Sequence, residues 1–310
     1  MSLLISVITI NLNNIDGLKR TVESLISQGS KSFEWVFIDG ISTDGSCEYV
    51  KDLATSGQLK FPNKIISERD SGIYDAMNKG IINSEGSYLL FLNSGDCFRT
   101  NQSLEKFEYE YEIEKNLAFY SFAIELEGYG VKVTYPKMLR EEFFWNSSLC
   151  HQSTFIKKTV FNNLGLYNTN YSIIADRYHF IVGIFKRGYR YKIINDFQMV
   201  IFNGDGISST QFDLRIVERD MMFTEIFGSF TVRNLKELGY YRSLEQNRLI
   251  WQLMLTTIKC KNLLLARPKT FLKILKKIIL KDNPKERNFI QRGIVCFIQK
   301  KLKKKKIEVL

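Results

Sequence analysis

One pattern constrains the fold of this chain more than any other feature. A short apolar run rich in β-forming residues is followed by a polar turn and an amphipathic helix, and the unit repeats along residues 1–100. The apolar runs are LLISVITI (3–10), EWVFI (34–38), KIIS (64–67) and YLLFL (88–92). Uninterrupted apolar runs are typical of strands buried on both faces, and strand–helix alternation predicts parallel strands joined by right-handed crossovers. We therefore expect an α/β protein with a mostly parallel central sheet flanked by helices.

Polar side chains follow each of these runs. Asp39 comes directly after the second run, and Asp96 follows the fourth run through an Asn-Ser-Gly turn. Asn11 and residues 68–70 follow the other two. Ligands of open parallel sheets bind beyond the carboxyl ends of the strands, so these side chains are predicted to share one rim of the sheet.

The chemistry of the rim residues leaves alternatives open. Asp96 suits a hard divalent cation such as Mg²⁺ or Mn²⁺, or it is an ordinary turn aspartate. Asp39 suits hydrogen bonds from a nucleotide base or ribose. Asp44 belongs either to the same site or to the start of the following helix, where an aspartate is a good cap.

The stretch SERDSGIYDAMNKG (67–80) predicts a helix with one apolar face. Asp75, Asn78 and Lys79 fall on the opposite face. That face either lines a ligand crevice, with Lys79 contacting a phosphate, or it is solvated and carries an Asp75–Lys79 ion pair.

The remainder of the chain is more mixed. We predict a hairpin around 128–130, a strand at 151–156, a helix ending at Gly188 and two strand-like runs before residue 203. From residue 211 the pattern is helical. The five cysteines show no zinc-ligand spacing, which indicates reduced thiols and a cytoplasmic protein. No signal peptide or spanning helix is expected.

Four motifs in order resemble the nucleotide-sugar-dependent glycosyltransferase family 2. They are SVITINLNN, FIDGISTDGS, SERDSGIYDAMNKGI and LLFLNSGDCF. The resemblance is dense over 1–100 and looser over 148–210, and is strongest to enzymes that build bacterial surface polysaccharides of the colanic-acid type. It implies a GT-A fold in 1–210, with a nucleotide-binding half (1–100) and an acceptor half (101–210). Residues 211–310 would then form a helical extension.

The resemblance also implies roles for the rim residues in binding a nucleotide-sugar donor. Asp39 would recognise the base, usually that of UDP, with Asn11 and Asp44 nearby. Asp70 would help to bind the donor. The donor-binding set also includes Asp75, Asn78, Lys79, Ser94 and Gly95. Asp96 matches the last acid of the family's DXD metal motif, and Ser94 stands where its first acid would be, so the implied cofactor is Mg²⁺ or Mn²⁺.

On the acceptor side, the resemblance implies that Asp176 is the catalytic base of an inverting transfer. His151 and Gln152, in CHQSTF, would line the active site, and 203–209 would be a later glycine-rich loop. From the residues alone, the alternative for Asp176 is a helix N-cap, and the alternative for His151 is a packed strand residue. His179 is predicted to be structural.

Charge separates the two ends of the chain. The net charge is +11, but residues 259–310 hold 17 Lys or Arg against 3 Asp or Glu, so they carry +14 and the first 258 residues carry −3. The apolar positions of 271–279 alternate with lysines at helical spacing, and 300–306 is polybasic. This pattern is typical of peripheral contact with an anionic membrane, here the inner face of the cell membrane. A helix packed on the domain and a nonspecific nucleic-acid patch are the alternatives.

The predicted function is an inverting glycosyltransferase that moves a sugar from a nucleoside-diphosphate donor to a glycan or lipid-linked acceptor in cell-surface polysaccharide synthesis. A sugar nucleotidyltransferase is one alternative, but NLNNIDGLKR lacks the glycine-rich signature that such enzymes carry after the first strand. A nucleic-acid-binding protein acting through the tail is the other, and the slightly acidic main domain argues against it.

Overall fold

The computed structural model describes residues 3–128, 130–202 and 211–239. The predicted loop at 203–209 and the predicted basic segment 260–306 lie outside these residues. The strands are β1 (Ile5–Asn11), β2 (Phe33–Asp39), β3 (Asn63–Ser67), β4 (Tyr88–Phe91), β5 (Cys97–Phe98), β6 (Phe119–Leu126), β7 (Val131–Val133), β8 (Thr154–Lys157) and β9 (Tyr191–Phe202). The helices are α1 (Ile15–Ile26), α2 (Ser46–Thr55), α3 (Ile73–Asn83), α4 (Ser103–Ile113), α5 (Glu141–Asn146), α6 (Lys158–Leu164), α7 (Ala175–Ile181) and α8 (Phe212–Phe227).

The strands form one mixed sheet. Its order is β3-β2-β1-β4-β8-β6-β9-β5, with β7 paired to β6 as the predicted hairpin. The first four strands are parallel, as predicted, and so are β6 and β9. Strand β8 is antiparallel to both β4 and β6. The amino end of β8 therefore lies beside the carboxyl end of β4, at the rim where the polar residues collect.

Both faces of the sheet are buried, which explains the uninterrupted apolar runs. In β2, Phe33, Trp35 and Phe37 face one core cluster, and Val36 and Ile38 face the other. This alternation follows from the two-residue period of a strand. Helices α1, α2 and α4 cover the first face, and α3 and α5 to α8 cover the second.

The middle region differs from the prediction in three details. The strand predicted at 151–156 begins only at Thr154, after the 3-10 turn His151–Ser153. The two strand-like runs before residue 203 form one strand, β9, whose pairing with β6 shifts register between Phe122 and Ile124. The helix predicted to end at Gly188 is α-helical only over α7 and continues as a π-helical turn, Val182–Lys186.

Residues Met1–Leu235 form one compact unit. Helix α8, which follows the predicted boundary at residue 210, contributes to the core of this unit. Met222 and Phe223 of α8 are fully buried, and the Phe223 ring packs edge-on against Trp145 at 5.0 Å. Within the described ranges, no helix is both long enough and apolar enough to cross a bilayer.

Candidate active site at the carboxyl rim of the sheet

The rim predicted from the strand ends is present, and Asn11 links its parts. Asn11 and Asp39 are the last residues of β1 and β2 and lie opposite each other in the parallel ladder. The Asn11 Nδ2 donates to Asp39 Oδ1 at 3.1 Å, and Ser94 Oγ donates to Asn11 Oδ1 at 2.6 Å. Residues that are distant in sequence thus form one hydrogen-bonded row.

Asp39 holds the loop that follows β2 through buried hydrogen bonds. Its side chain is fully buried, and its Oδ2 accepts bonds from the backbone N–H of Ser42 and from Ser67 Oγ, both at 3.0 Å. These bonds hold the loop that follows β2. Within that loop, Ile41 is 54% exposed and has φ of 62°, an unusual conformation for a β-branched residue. The surface beside Asp39 is therefore formed by this loop and not by the carboxylate itself.

Asp44 has the helix-capping geometry that the sequence left open. Its Oδ2 accepts from the backbone N–H of Ile15 at 2.8 Å and its Oδ1 from that of Ser46 at 3.1 Å. Ile15 begins α1 and Ser46 begins α2, so one carboxylate satisfies free donors at the start of two helices.

Lys79 is the centre of an acidic cluster. Its Nζ lies 2.7 Å from Asp70, 3.2 Å from Glu68 and 3.5 Å from Asp75. Burial alone would lower the pKa of Lys79, but the bonds from Asp70 and Glu68 outweigh it and raise that pKa above its ordinary value. Asp70 also lies at the rim, next to Gly40, the residue that follows β2. A Cβ atom added to Gly40 would be 2.8 Å from Asp70 Oδ2. Lys79 is thus engaged by three carboxylates, including the predicted Asp75 pair.

Asn78 is placed differently from the prediction, which put it on the polar face of α3. It is buried, its Nδ2 donates to the carbonyl of Tyr167 at 2.8 Å, and its Oδ1 accepts from the N–H of Tyr167 at 2.9 Å. The backbone carbonyl and N–H of Tyr167 thus satisfy both polar groups of the Asn78 side-chain amide. Asn78 therefore anchors the 165–170 loop to α3 and does not face the crevice.

The turn after β4 presents Asp96 at the rim. Gly95 has φ of 106°, which favours glycine, and its N–H donates to Thr21 Oγ1 at 3.0 Å. The Thr21 hydroxyl in turn donates to the carbonyl of Asp96 at 2.8 Å. The buried Asp96 carboxylate accepts from Gln152 Nε2 at 3.1 Å. Gln152 lies in the 3-10 turn His151–Ser153, immediately before β8.

His151, next to Gln152, connects this turn to Asp176. Its Nδ1 lies 2.9 Å from Asp176 Oδ2, and its Nε2 lies 3.3 Å from Asn93 Nδ2. The other oxygen of Asp176 accepts from Tyr74 Oη at 3.0 Å. Burial raises the pKa of Asp176, but the bonds from His151 and Tyr74 lower it more, so the net shift is downward. A buried, ionised carboxylate is therefore held at this rim.

The structure excludes a helix N-cap role for Asp176 and a strand position for His151, and their catalytic roles stay predictions. Asp176 is the second residue of α7, whose N-cap is Ile174, so Asp176 is not the cap. His151 precedes the strand and does not belong to it. His179 is buried, with its Nε2 2.8 Å from the carbonyl of Gly165, which fits the structural role predicted for it.

Asp96 is suited to a divalent cation by its chemistry. No cluster of three or more His, Cys, Asp or Glu side chains with metal-binding geometry occurs in the part of the chain that the structure describes. Mg²⁺ and Mn²⁺ are nevertheless commonly bound by one or two carboxylates together with the oxygens of a bound diphosphate. One carboxylate at Asp96, with Ser94 in place of a second acid, fits that mode.

Two residues of the site were not predicted. Tyr74 is part of the apolar stripe of α3, and nothing in that stripe marks its hydroxyl as a partner of Asp176. Asn93 is the first polar residue after the apolar run 88–92. Its position at the end of that run could have predicted that it belongs to the rim. Its Oδ1 is buried without a hydrogen-bond partner among the described residues.

Comparisons with known proteins agree with this architecture. The family model described as glycosyl transferase family 2 matches residues 6–186. An uncharacterized glycosyltransferase of Mycobacterium tuberculosis is 32% identical over 183 residues, which are 56% of this chain and 66% of that protein. A PGL/p-HBAD biosynthesis glycosyltransferase of Mycobacterium bovis is 28% identical over 184 residues, 55% of this chain and 66% of the relative. The match thus spans 66% of the length of these relatives.

Solved structures confirm the predicted GT-A fold. S. aureus TarS 1–349 in complex with UDP-GlcNAc superposes with a TM-score of 0.55 at 16% identity, covering 72% of this chain and 71% of that one. The mannosyltransferase PcManGT from Pyrobaculum calidifontis, in complex with GDP-Man and Mn²⁺, gives 0.51 at 14% identity and covers 86% and 87%. Because the family model covers more than half of the sequence, the chain belongs to glycosyl transferase family 2.

Proposed function

We propose that the protein is an inverting glycosyltransferase. It moves a sugar from a nucleoside-diphosphate donor, most simply a UDP-sugar, to a hydroxyl of a glycan or lipid-linked acceptor in bacterial cell-surface polysaccharide synthesis. One observation carries the proposal. The consecutive residues His151 and Gln152 bond to Asp176 and Asp96, respectively, so a candidate base and a candidate metal ligand lie on adjoining sides of one rim.

The chemistry divides between the two carboxylates. Asp96 would hold a Mg²⁺ or Mn²⁺ ion, which supplies positive charge against the departing diphosphate. Asp176 accepts the proton of the acceptor hydroxyl. The hydroxyl oxygen attacks the anomeric carbon of the donor sugar from the face opposite the leaving group. His151 and Tyr74 orient Asp176 and keep it ionised. Direct displacement in this geometry inverts the anomeric configuration.

The donor side is assigned to the row from Asp39 to Ser94. The buried Asp39 does not contact the donor itself. It fixes the loop after β2, and that loop binds the nucleotide base. Asn11, Ser94 and Gly95 line the rim next to Asp96, and Asp70 borders it at Gly40. Asp44 and the cluster around Lys79 keep the helix starts and α3 in position. Asn78 is not proposed as a donor contact.

Relatives and neighbours support this assignment without choosing the substrates. A relative carries the name of a PGL/p-HBAD biosynthesis enzyme, and structural neighbours bind UDP-GlcNAc or GDP-Man. A contact of the basic segment 260–306 with the anionic inner face of the cell membrane would bring the enzyme to a lipid-linked acceptor.

The decisive experiment is a screen of nucleotide sugars with the full chain, scoring nucleotide binding by calorimetry and donor turnover by nucleotide release. The anomer of any product is then assigned by NMR. Asp176→Asn is expected to lower turnover roughly 10²–10⁴-fold while nucleotide affinity is retained. Asp96→Asn is expected to weaken metal-dependent nucleotide binding.

Asp52→Asn, an exposed change of the same charge on α2, is the matched control and should leave both measurements unchanged. Wild-type turnover in Asp176→Asn would remove the base assignment. Failure of every nucleotide sugar to bind would overturn the proposed function.

A further inference from the structure

Helix α8 contacts the segment that leads into α7 through one buried carboxylate, that of Glu218. Its Oε1 accepts from the backbone N–H of Ser172 at 2.6 Å, and its Oε2 accepts from that of Ile173 at 3.0 Å. Residues 172 and 173 belong to neither a helix nor a strand, so no regular secondary structure supplies partners for these N–H groups. Glu218 supplies both acceptors and thereby fixes two consecutive peptide units.

The segment held by Glu218 determines where α7 begins. Ile174 is the N-cap of α7, and Asp176 is its second residue, three positions after Ile173. Ile174 and Ala175, which lie between the two, are 1% and 0% exposed, so the packed core leaves this short stretch little room to adjust. A displacement of the backbone at residue 173 would therefore be passed on to Asp176.

The position of Asp176 matters because its partners belong to other elements. His151 precedes β8 and Tyr74 lies on α3, and they bond to Asp176 at 2.9 and 3.0 Å. Burial raises the pKa of Asp176, but these two bonds lower it more, and the charge of Arg177 adds to their effect. A small movement of α7 would lengthen both bonds, because neither partner moves with that helix.

Helix α8 is itself held by the core. Met222 and Phe223, one turn beyond Glu218, are fully buried. The helix also lies beyond residues 6–186, the range that the family model matches, so this contact comes from a part of the chain outside that range.

We propose that Glu218 is a positioning residue for sugar transfer. Through residues 172–175 it holds Asp176 where that carboxylate can take the proton of the acceptor hydroxyl. This inference rests on the proposed function, because it takes Asp176 as the base.

The test measures nucleotide release by the full chain with the donor found in the screen described above. Glu218→Gln keeps the shape of the side chain but replaces one accepting oxygen by an NH2 group, which cannot accept from an N–H. We expect kcat to fall roughly tenfold, because a slightly misplaced catalytic group costs at least that much. The acid limb of the pH profile of kcat/KM should move to higher pH, since longer bonds from His151 and Tyr74 lower the pKa of Asp176 less. Nucleoside-diphosphate affinity should change by less than about twofold, because the donor residues are not displaced.

A second measurement separates positioning from a merely structural role. Because Glu218 acts through Asp176, Glu218→Gln should change the residual turnover of Asp176→Asn by less than about twofold. Glu225→Gln, a change of an exposed acid on the same helix, is the matched control. Glu225 accepts from Tyr171 Oη at 3.1 Å, and a glutamine oxygen can still accept that bond, so turnover and the acid limb should stay unchanged.

Urea unfolding checks that each variant is folded. If Glu218→Gln does not fold, Glu218→Asp takes its place, since it keeps the charge but is one methylene shorter, and kcat and the acid limb should change in the same directions. Wild-type turnover in a folded Glu218 variant would overturn the inference and leave the proposed function standing. An equal fold-loss in the wild-type and Asp176→Asn backgrounds would do the same. Wild-type turnover in Asp176→Asn would instead defeat the base assignment, and the inference with it.

Discussion

At the scale of single residues, the state of Asp176 follows from its neighbours. Burial alone would raise the pKa of a carboxylate in this position, because low polarity disfavours charge. Hydrogen bonds from His151 and Tyr74 reverse the balance and lower the pKa of Asp176. The lowered pKa also means that ionised Asp176 stabilises the fold above its unfolded pKa of about 3.9, and that this contribution is lost as the pH falls.

Removing either of these hydrogen-bond donors to Asp176 should therefore change the pH dependence of sugar transfer. In His151→Ala and in Tyr74→Phe the burial of Asp176 remains while one bond is lost, so the pKa of Asp176 rises. The acid limb of the pH profile of kcat/KM should move to higher pH in both variants. Tyr171→Phe is the matched control, because it removes a hydroxyl that bonds to Glu225 at 3.1 Å and not to Asp176. An acid limb that stays in place in His151→Ala would show that Asp176 does not control it.

At the scale of elements, α3 shows which side-chain positions an amphipathic pattern can predict and which it cannot. Its apolar stripe is buried as predicted, with Ala76, Met77 and Ile81 in the core. The polar side of the helix is divided further by contacts that spacing does not encode. Lys79 joins the acidic cluster, whereas Asn78 turns inward to a loop far along the chain. A polar residue is assigned to solvent by any hydrophobicity pattern unless its buried partner is known.

Asn78→Ala tests this anchor. The change leaves the N–H and the carbonyl of Tyr167 buried without their partner, and each such group costs about 1–3 kcal/mol. The free energy of unfolding, measured in urea, should fall by about 2–6 kcal/mol. Asn83→Ala on the same helix is the matched control, because the one hydrogen bond of the Asn83 side chain to a described residue goes to the carbonyl of Lys79, one turn away. It should cost about 1 kcal/mol or less. Equal losses in the two variants would contradict the anchor role.

At the scale of the whole molecule, charge is unevenly distributed. Residues 259–310 carry +14 and the first 258 residues carry −3. A basic patch attracts anionic lipid by about 1 kcal/mol for each Lys or Arg near the surface. Membrane association through the tail therefore stays a prediction independent of the catalytic rim.

Deleting 260–310 should move the protein from the membrane fraction to the soluble fraction of lysed cells. Washing membranes that carry the full chain with about 1 M salt should release part of it, because salt screens the attraction. Replacing the lysines of 300–306 by glutamine separates the polybasic contribution from that of the apolar positions in 271–279. An unchanged membrane-bound fraction after the deletion would defeat the proposed membrane contact.

The first half of the fold was largely readable from the sequence. Uninterrupted apolar runs and stripes with period 3.6 are local, so they place β1 to β4 and α1 to α3 within a few residues. The rim residues Asn11, Asp39 and Asp96 followed, because parallel strands end on the same side of a sheet. Element bounds after residue 100 were less readable, since β9 pairs irregularly and α7 passes into a π-helical turn.

By itself, then, the sequence determined the α/β class, the parallel first half and the side of the sheet on which polar groups collect. Only the tertiary structure decided that β8 runs antiparallel to β4, which brings His151 and Gln152 to Asp176 and Asp96. It also decided that Asp39 is buried. The physical reason is that periodicity reports which face of an element is buried, whereas the partner of a polar side chain depends on the order and direction in which distant elements pack.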